Sequence, residues 1–120
     1  MQVRTIWIEN EVTGDAQGRA HDPEDTNSDV VVTMTDRSRW VATFFSYANI
    51  GNLVAKNRFS GECLSGRYFW SSDMILVDEV TRERIEEVIK DLLTTHKFQA
   101  IFMRCATDDD DESEDANRML

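Results

Sequence analysis

Two cysteines, two histidines and a single proline leave this chain of 120 residues short of the groups that build metal centres and cross-linked scaffolds. Cys63 and Cys105 stand far apart and outside any paired metal-ligand spacing. Their count permits a disulfide, but a reducing compartment predicts two free thiols. No nucleophile elbow, phosphate-cradling glycine loop, dinucleotide fingerprint or paired metal-binding histidines occur, so neither a cofactor nor a metal is expected. The acidic run DDDDESED, Asp108 to Asp115, lacks the alternating ligands and central glycine of a calcium loop. Long apolar runs are missing too. The N-terminal stretch MQVRTIWIEN holds no signal-peptide core and no membrane span, which predicts a cytoplasmic protein with no membrane contact. Nor is there an internal repeat of solenoid period.

Bases are scarce relative to acids. Thirteen Lys and Arg stand against 23 Asp and Glu, a formal net charge of −10. A surface that negative repels phosphate backbones and anionic headgroups, because both need cations to replace their counterions. Direct nucleic-acid binding is disfavoured and a basic protein partner is favoured. Residues 107–120 carry seven acids and Arg118, so −6 of the −10 lies there and −4 remains on the rest. That segment has too little apolar surface to offset the entropy of ordering, and it is expected to be a disordered tail on a globular body, residues 1–106.

The whole chain is 41% hydrophobic, enough for one packed core. Val3 to Ile8 (VRTIWI) reads as a first strand, and the polar stretch Glu9 to Ser28 as a long loop. Asp29 to Thr35, a turn at Asp36-Arg37-Ser38, and Arg39 to Ser46 read as a hairpin. Ser46 or Asn49 caps a short helix over Tyr47 to Lys56, and RYFW (67–70) and MILV (74–77) read as two further strands. Ile85, Val88, Ile89, Leu92 and Leu93 form one stripe of an α-helix capped by Thr81, and FQAIFM (98–103) reads as the last strand. The expected fold is α+β: one domain, a five- or six-stranded mostly antiparallel sheet, one main amphipathic helix and one short helix packed on it.

Candidate contact residues are of two kinds. Acids gather at Asp22, Glu24, Asp25 and Asp29, and again at Asp108, Asp109, Asp110 and Asp111, where they could speed encounter with a basic surface or mimic phosphates. The plainer explanation of both is a solvated loop and a solubilising tail. Aromatics gather on the strands, and Trp40, Tyr47, Tyr68 and Trp70 could anchor a partner, although ordinary core duty explains most strand aromatics. Alternation puts Trp40, Ala42 and Phe44 on one face of a strand and Val41, Thr43 and Phe45 on the other, so both faces look covered. A catalytic reading would need Cys63 paired with His96, and sequence alone brings nothing else to such a site.

The block GECLSGRYFWSSDMILVDEVTRERIEEVIKDLL (61–93) and the segment RWVATFFSYANI (39–50) look like parts of small cytosolic bacterial proteins. In size, acidity and order of elements the chain is similar to immunity proteins that neutralise bacterial toxins. That resemblance implies a tight complex with a basic, nuclease-type toxin domain and no catalytic residue on this side. The expected function is therefore a protein-binding inhibitor acting by occlusion and not an enzyme. The alternatives are a phage-derived or regulatory phosphate-mimicking adaptor on a nucleic-acid-binding protein, and a small enzyme using Cys63.

Overall fold

The computed structural model describes residues 1–12 and 22–105. Among them, β1 (Val3–Ile8) runs into a single helical turn, α1 (Glu9–Val12). The hairpin β2 (Asn27–Met34) and β3 (Arg39–Ser46) follows, and β3 leads directly into α2 (Tyr47–Ser60). A tight turn, α3 (Glu62–Gly66), precedes β4 (Met74–Val77), α4 (Arg82–Thr94), a turn α5 (Phe98–Ile101) and β5 (Met103–Cys105). The result is a single α+β sheet domain. β1, β2 and β3 pair antiparallel in that order. The far edge of β3 is shared: β4 pairs parallel with Thr43 to Ser46, and β5 pairs antiparallel with Arg39 to Val41.

Alternation sorts the side chains onto two faces. One face carries Ile6, Ile8, Val30, Val32, Met34, Trp40, Ala42, Phe44, Ile75 and Val77, and it forms the core with Ile85, Ile89 and Leu92 of α4 and with Phe98 and Phe102. Phe98 and Phe102 lie one helical turn apart and stack at 4.3 Å between ring centroids, while Phe98 meets Trp40 edge-on at 5.6 Å. Burying the three aliphatic side chains of α4 is worth roughly 5–9 kcal/mol before entropy. Thr81 caps α4, its hydroxyl accepting from the Arg84 N–H at 3.1 Å. Arg82 then ties this layer to the N-terminal strand. It donates to both oxygens of Glu11, at 2.7 and 2.8 Å, and to the Ile6 carbonyl at 2.8 Å. These hydrogen bonds hold the Glu11 carboxyl below its usual range. Both side chains are partly solvated, so the pair is worth at most about 1 kcal/mol.

The sheet, the hairpin and both helix N-caps follow the sequence expectation, and four segments depart from it. The supposed loop after Ile8 begins with α1, and β2 starts at Asn27. The first helix continues past Lys56 to Ser60, where Gly61, at φ 85°, donates to the Asn57 carbonyl at 2.9 Å and closes it. RYFW forms no strand. Both edges of β3 are already occupied, the segment pairs with no described strand, and only Phe69 turns inward, edge-on to Phe45 at 5.5 Å. FQAIFM divides into α5 and β5, because Phe98 and Phe102 at i and i+4 bury together only on a helical turn.

The junction between β3 and α2 is held by Ser46. Its buried hydroxyl accepts from the Thr26 N–H at 3.1 Å and, as helix cap, from the Asn49 N–H at 3.3 Å. Of the described residues of α2 only Asn57 is buried, and Phe59 is 95% exposed. The turn that follows is left-handed: Cys63, Leu64 and Ser65 have φ of 53°, 53° and 57°. L-residues pay about 1–2 kcal/mol each for that conformation. Gly66 completes it at φ 80°, and a Cβ there would lie 2.7 Å from the Val54 carbonyl oxygen, so only glycine lets the turn pack on α2.

Candidate binding face of the sheet

The second sheet face is formed by the alternate residues of the same strands. Register places Trp7 opposite Val31, Val31 opposite Val41, and Val41 opposite Met103, an apolar row crossing four strands. Trp7 and Met103 at its ends are 45% and 51% exposed, and Leu76 on β4 is 44% exposed. Among the described residues Phe69 covers the Phe45 corner of this face. The expectation that both faces are covered therefore holds fully for one of them only.

A second row runs parallel to the first: Thr5 opposite Thr33, Thr33 opposite Arg39, and Arg39 opposite Cys105. Beside it lies a cavity of about 270 Å³ lined by Arg4, Thr5, Thr33, Arg37 and Arg39. Two backbone irregularities assemble it. The register slips between Val3 and Thr5, so Arg4 is the extra residue of a β-bulge and joins Thr5 at the cavity. Arg37 sits in the hairpin turn at φ 74°, a left-handed position that usually selects Gly or Asn. The turn is fixed around it. Arg37 N–H donates to the Met34 carbonyl at 3.0 Å, and Asp36 accepts from the Ser38 N–H and hydroxyl at 2.8 and 2.6 Å. Those Ser38 hydrogen bonds hold the Asp36 carboxyl below its ordinary value.

Among the described residues, three of the four acids expected to meet a partner accept hydrogen bonds within the chain. Asp22 accepts from the Glu24 N–H at 3.0 Å. Asp25 accepts from the side-chain amides of Asn52 and Asn49 at 2.8 and 3.1 Å, which hold its carboxyl below the usual range. Asp29 accepts from the Thr43 hydroxyl at 2.8 Å. Glu24 is exposed. Asp25 thus fastens the chain before β2 onto the start of α2, and Val80 N–H adds a bond to the Pro23 carbonyl at 2.7 Å. Trp40 lies in the core at 7% exposure with its indole N–H on Ser38, so it is closed to a partner. Tyr47, Tyr68 and Trp70 are exposed, on α2 and on the segment before β4. Asp108, Asp109, Asp110 and Asp111, with the whole expected tail, lie outside the described residues.

The residues that make this face were Trp7, Leu76 and Met103 for its apolar part and Arg4, Arg37 and Arg39 for its basic end. The sequence singles out none of these six, and VRTIWI and MILV read only as strands. A separate cavity of about 250 Å³ is bounded by Met1, Leu93, His96, Phe98 and Gln99. Cys63 stands in the left-handed turn instead, and among the described residues no hydrogen bond joins it to His96. No described group of three or more His, Cys, Asp and Glu side chains could hold a metal ion, and no described helix is long and apolar enough to cross a membrane. Compared with known protein families, with curated proteins and with solved structures, the chain matches none.

Proposed function

We propose that this chain is a protein-binding inhibitor that occludes a basic partner with the open face of its sheet, in the manner of an immunity protein on a nuclease-like toxin. The observation that carries the reading is the apolar row Trp7–Val31–Val41–Met103, continuous over four strands and solvent-exposed at its ends. Polar groups border the row on both sides, with Thr5, Thr33 and Arg39 on one side and Asp29 and Thr43 on the other. An apolar centre with a polar rim is the usual anatomy of a protein interface. The net charge of −10 adds long-range attraction for a basic partner and speeds encounter at low salt.

Affinity capture from the source organism, with three forms of the full chain as bait, tests this. The wild type and Phe59→Ser should retain the same basic protein. Trp7→Glu combined with Met103→Glu should lose it, with affinity falling at least about a hundredfold, as for charged groups placed in an interface centre. Undiminished binding by the double variant, or a retained partner that is acidic, would sink the reading.

A further inference from the structure

Helix α2 stands largely uncovered: of its 14 residues only Asn57 is buried, and Phe59 near its end is 95% exposed. At about 100° per residue, Ala48, Gly51, Ala55 and Phe59 share one arc of the helix, and all four are exposed. Nothing within the chain requires Gly51 to be glycine. It loosens the helix, and a Cβ there would meet nothing within 4 Å. Charges of opposite sign lie along one edge of the arc. The side-chain amides of Asn49 and Asn52 hold Asp25 beside the first half of the helix, at 3.1 and 2.8 Å, and Lys56 follows one turn beyond Asn52. Among the described residues neither Asp25 nor Lys56 forms an ion pair.

We infer that the outer face of α2 is a self-association surface, on which a second copy of this chain packs its own α2 antiparallel. The order of the charges selects that occupant. A polyanion laid along the helix meets Asp25, and a polycation meets Lys56. The same helix reversed meets both with the opposite sign. Around a dyad at the level of Leu53, Lys56 of each copy lies beside the Asn49–Asn52 turn that carries the partner's Asp25. Gly51 then faces the partner's Ala55 where the two helices come closest, and Phe59 reaches the partner's first turn. Parallel packing would set Lys56 against Lys56 and align the two helix dipoles, so both terms oppose it. Contact along about 21 Å of helix buries less than the roughly 1,200 Å² of a stable interface, so the dimer is weak and forms at high concentration. None of these residues belongs to the apolar row, so the dimer can be tested separately from the partner.

The test is sedimentation equilibrium of the full chain from micromolar to millimolar concentration, at about 0.15 M ionic strength. There the repulsion between two chains of net charge −10 is screened beyond about 8 Å, and the local charge pattern decides. The wild type should show a reversible monomer–dimer equilibrium. Phe59→Glu changes an exposed side chain, so the fold survives, and it should weaken the dimer at least about tenfold. Lys56→Glu and Asp25→Lys should each weaken self-association several-fold, since each sets like charges against one another across the dyad. An equimolar mixture of those two variants should recover the wild-type affinity, because both cross-copy pairs are then of opposite sign. Backbone amide spectra check that Asp25→Lys is folded, and Asn52→Lys, at an exposed position of α2, carries the same reversal if it is not. A wild type that stays monomeric throughout, a dimer indifferent to Phe59→Glu, or a mixture no tighter than its components would overturn the inference.

Discussion

Alternate residues of β2 and β3 meet two different environments. Val30, Val32, Met34, Trp40, Ala42 and Phe44 are buried under α4 and α5. Their neighbours Asp29, Val31, Thr33, Arg39, Val41 and Thr43 are exposed or half-buried on the opposite face. The composition of the two sets explains how one pair of strands supports both. The buried set spans large and small side chains that interlock with the helices. The open set is mostly β-branched or polar, residues that favour a pleated surface without requiring a cover. The first face stores stability, and the second is left available for contact. Substitutions at three places would break or sharpen that division.

The largest effect belongs to the covered face. Ile89 is 2% exposed at the centre of α4, against the sheet. Ile89→Asp buries an unpaired carboxylate, a cost of several kcal/mol against a total stability of about 5–15 kcal/mol. Loss of the cooperative unfolding transition by circular dichroism is the expected result. A transition like the parent's would show that α4 is not what closes this face.

An intermediate effect belongs to the end of the sheet, where β3 turns into α2. Ser46→Ala removes the acceptor of two backbone N–H groups, Thr26 and Asn49, and should cost about 1–3 kcal/mol in denaturant unfolding. Asp25 braces the same junction through Asn49 and Asn52, and its carboxyl sits below the ordinary value. A group depressed in the folded state contributes stability that is present above its unfolded pKa, about 3.9, and lost as pH falls through the lower folded value. Asp25→Asn should therefore lower stability slightly at neutral pH and flatten part of the acid limb below about pH 4, so that variant and parent converge at the acid end. An identical acid limb in the variant would place the depression on other carboxylates.

How far the sequence revealed these regions differs in a way the physics explains. The covered face was legible because its signal is periodic: the spacing of Ile85, Ile89 and Leu92, and the alternation through Trp40, Ala42 and Phe44, are local patterns. Thr81 was legible as an N-cap for the same reason, and Ser46 as one of two candidates with Asn49. RYFW misled because strand propensity says nothing about whether an edge is free, and β3 had none to offer. FQAIFM misled because Phe98 and Phe102 can pair at helical spacing within a segment that otherwise reads as extended. The arginine cavity left no local trace at all. It joins residues 4, 37 and 39 through a bulge and a left-handed turn, and both are backbone events set by the sheet register. The acidic loop gave a strong compositional signal, yet most of its charge serves hydrogen bonds within the chain.

The smallest expected effect bears most directly on the open face. Met103 is 51% and Leu76 44% exposed, on strands at the edge of the sheet. Replacing either by Ser should lower stability by under about 1 kcal/mol, the range of half-exposed cross-strand positions. A core truncation such as Phe44→Ala would by comparison cost about 3–5 kcal/mol. The contrast is a direct measure of whether this face is bare in the free chain, because burial by any other segment would raise the cost of losing these side chains towards the core value. Should Met103→Ser prove as damaging as Phe44→Ala, the row from Trp7 to Met103 is already covered from within, and it could not be the surface that meets a partner.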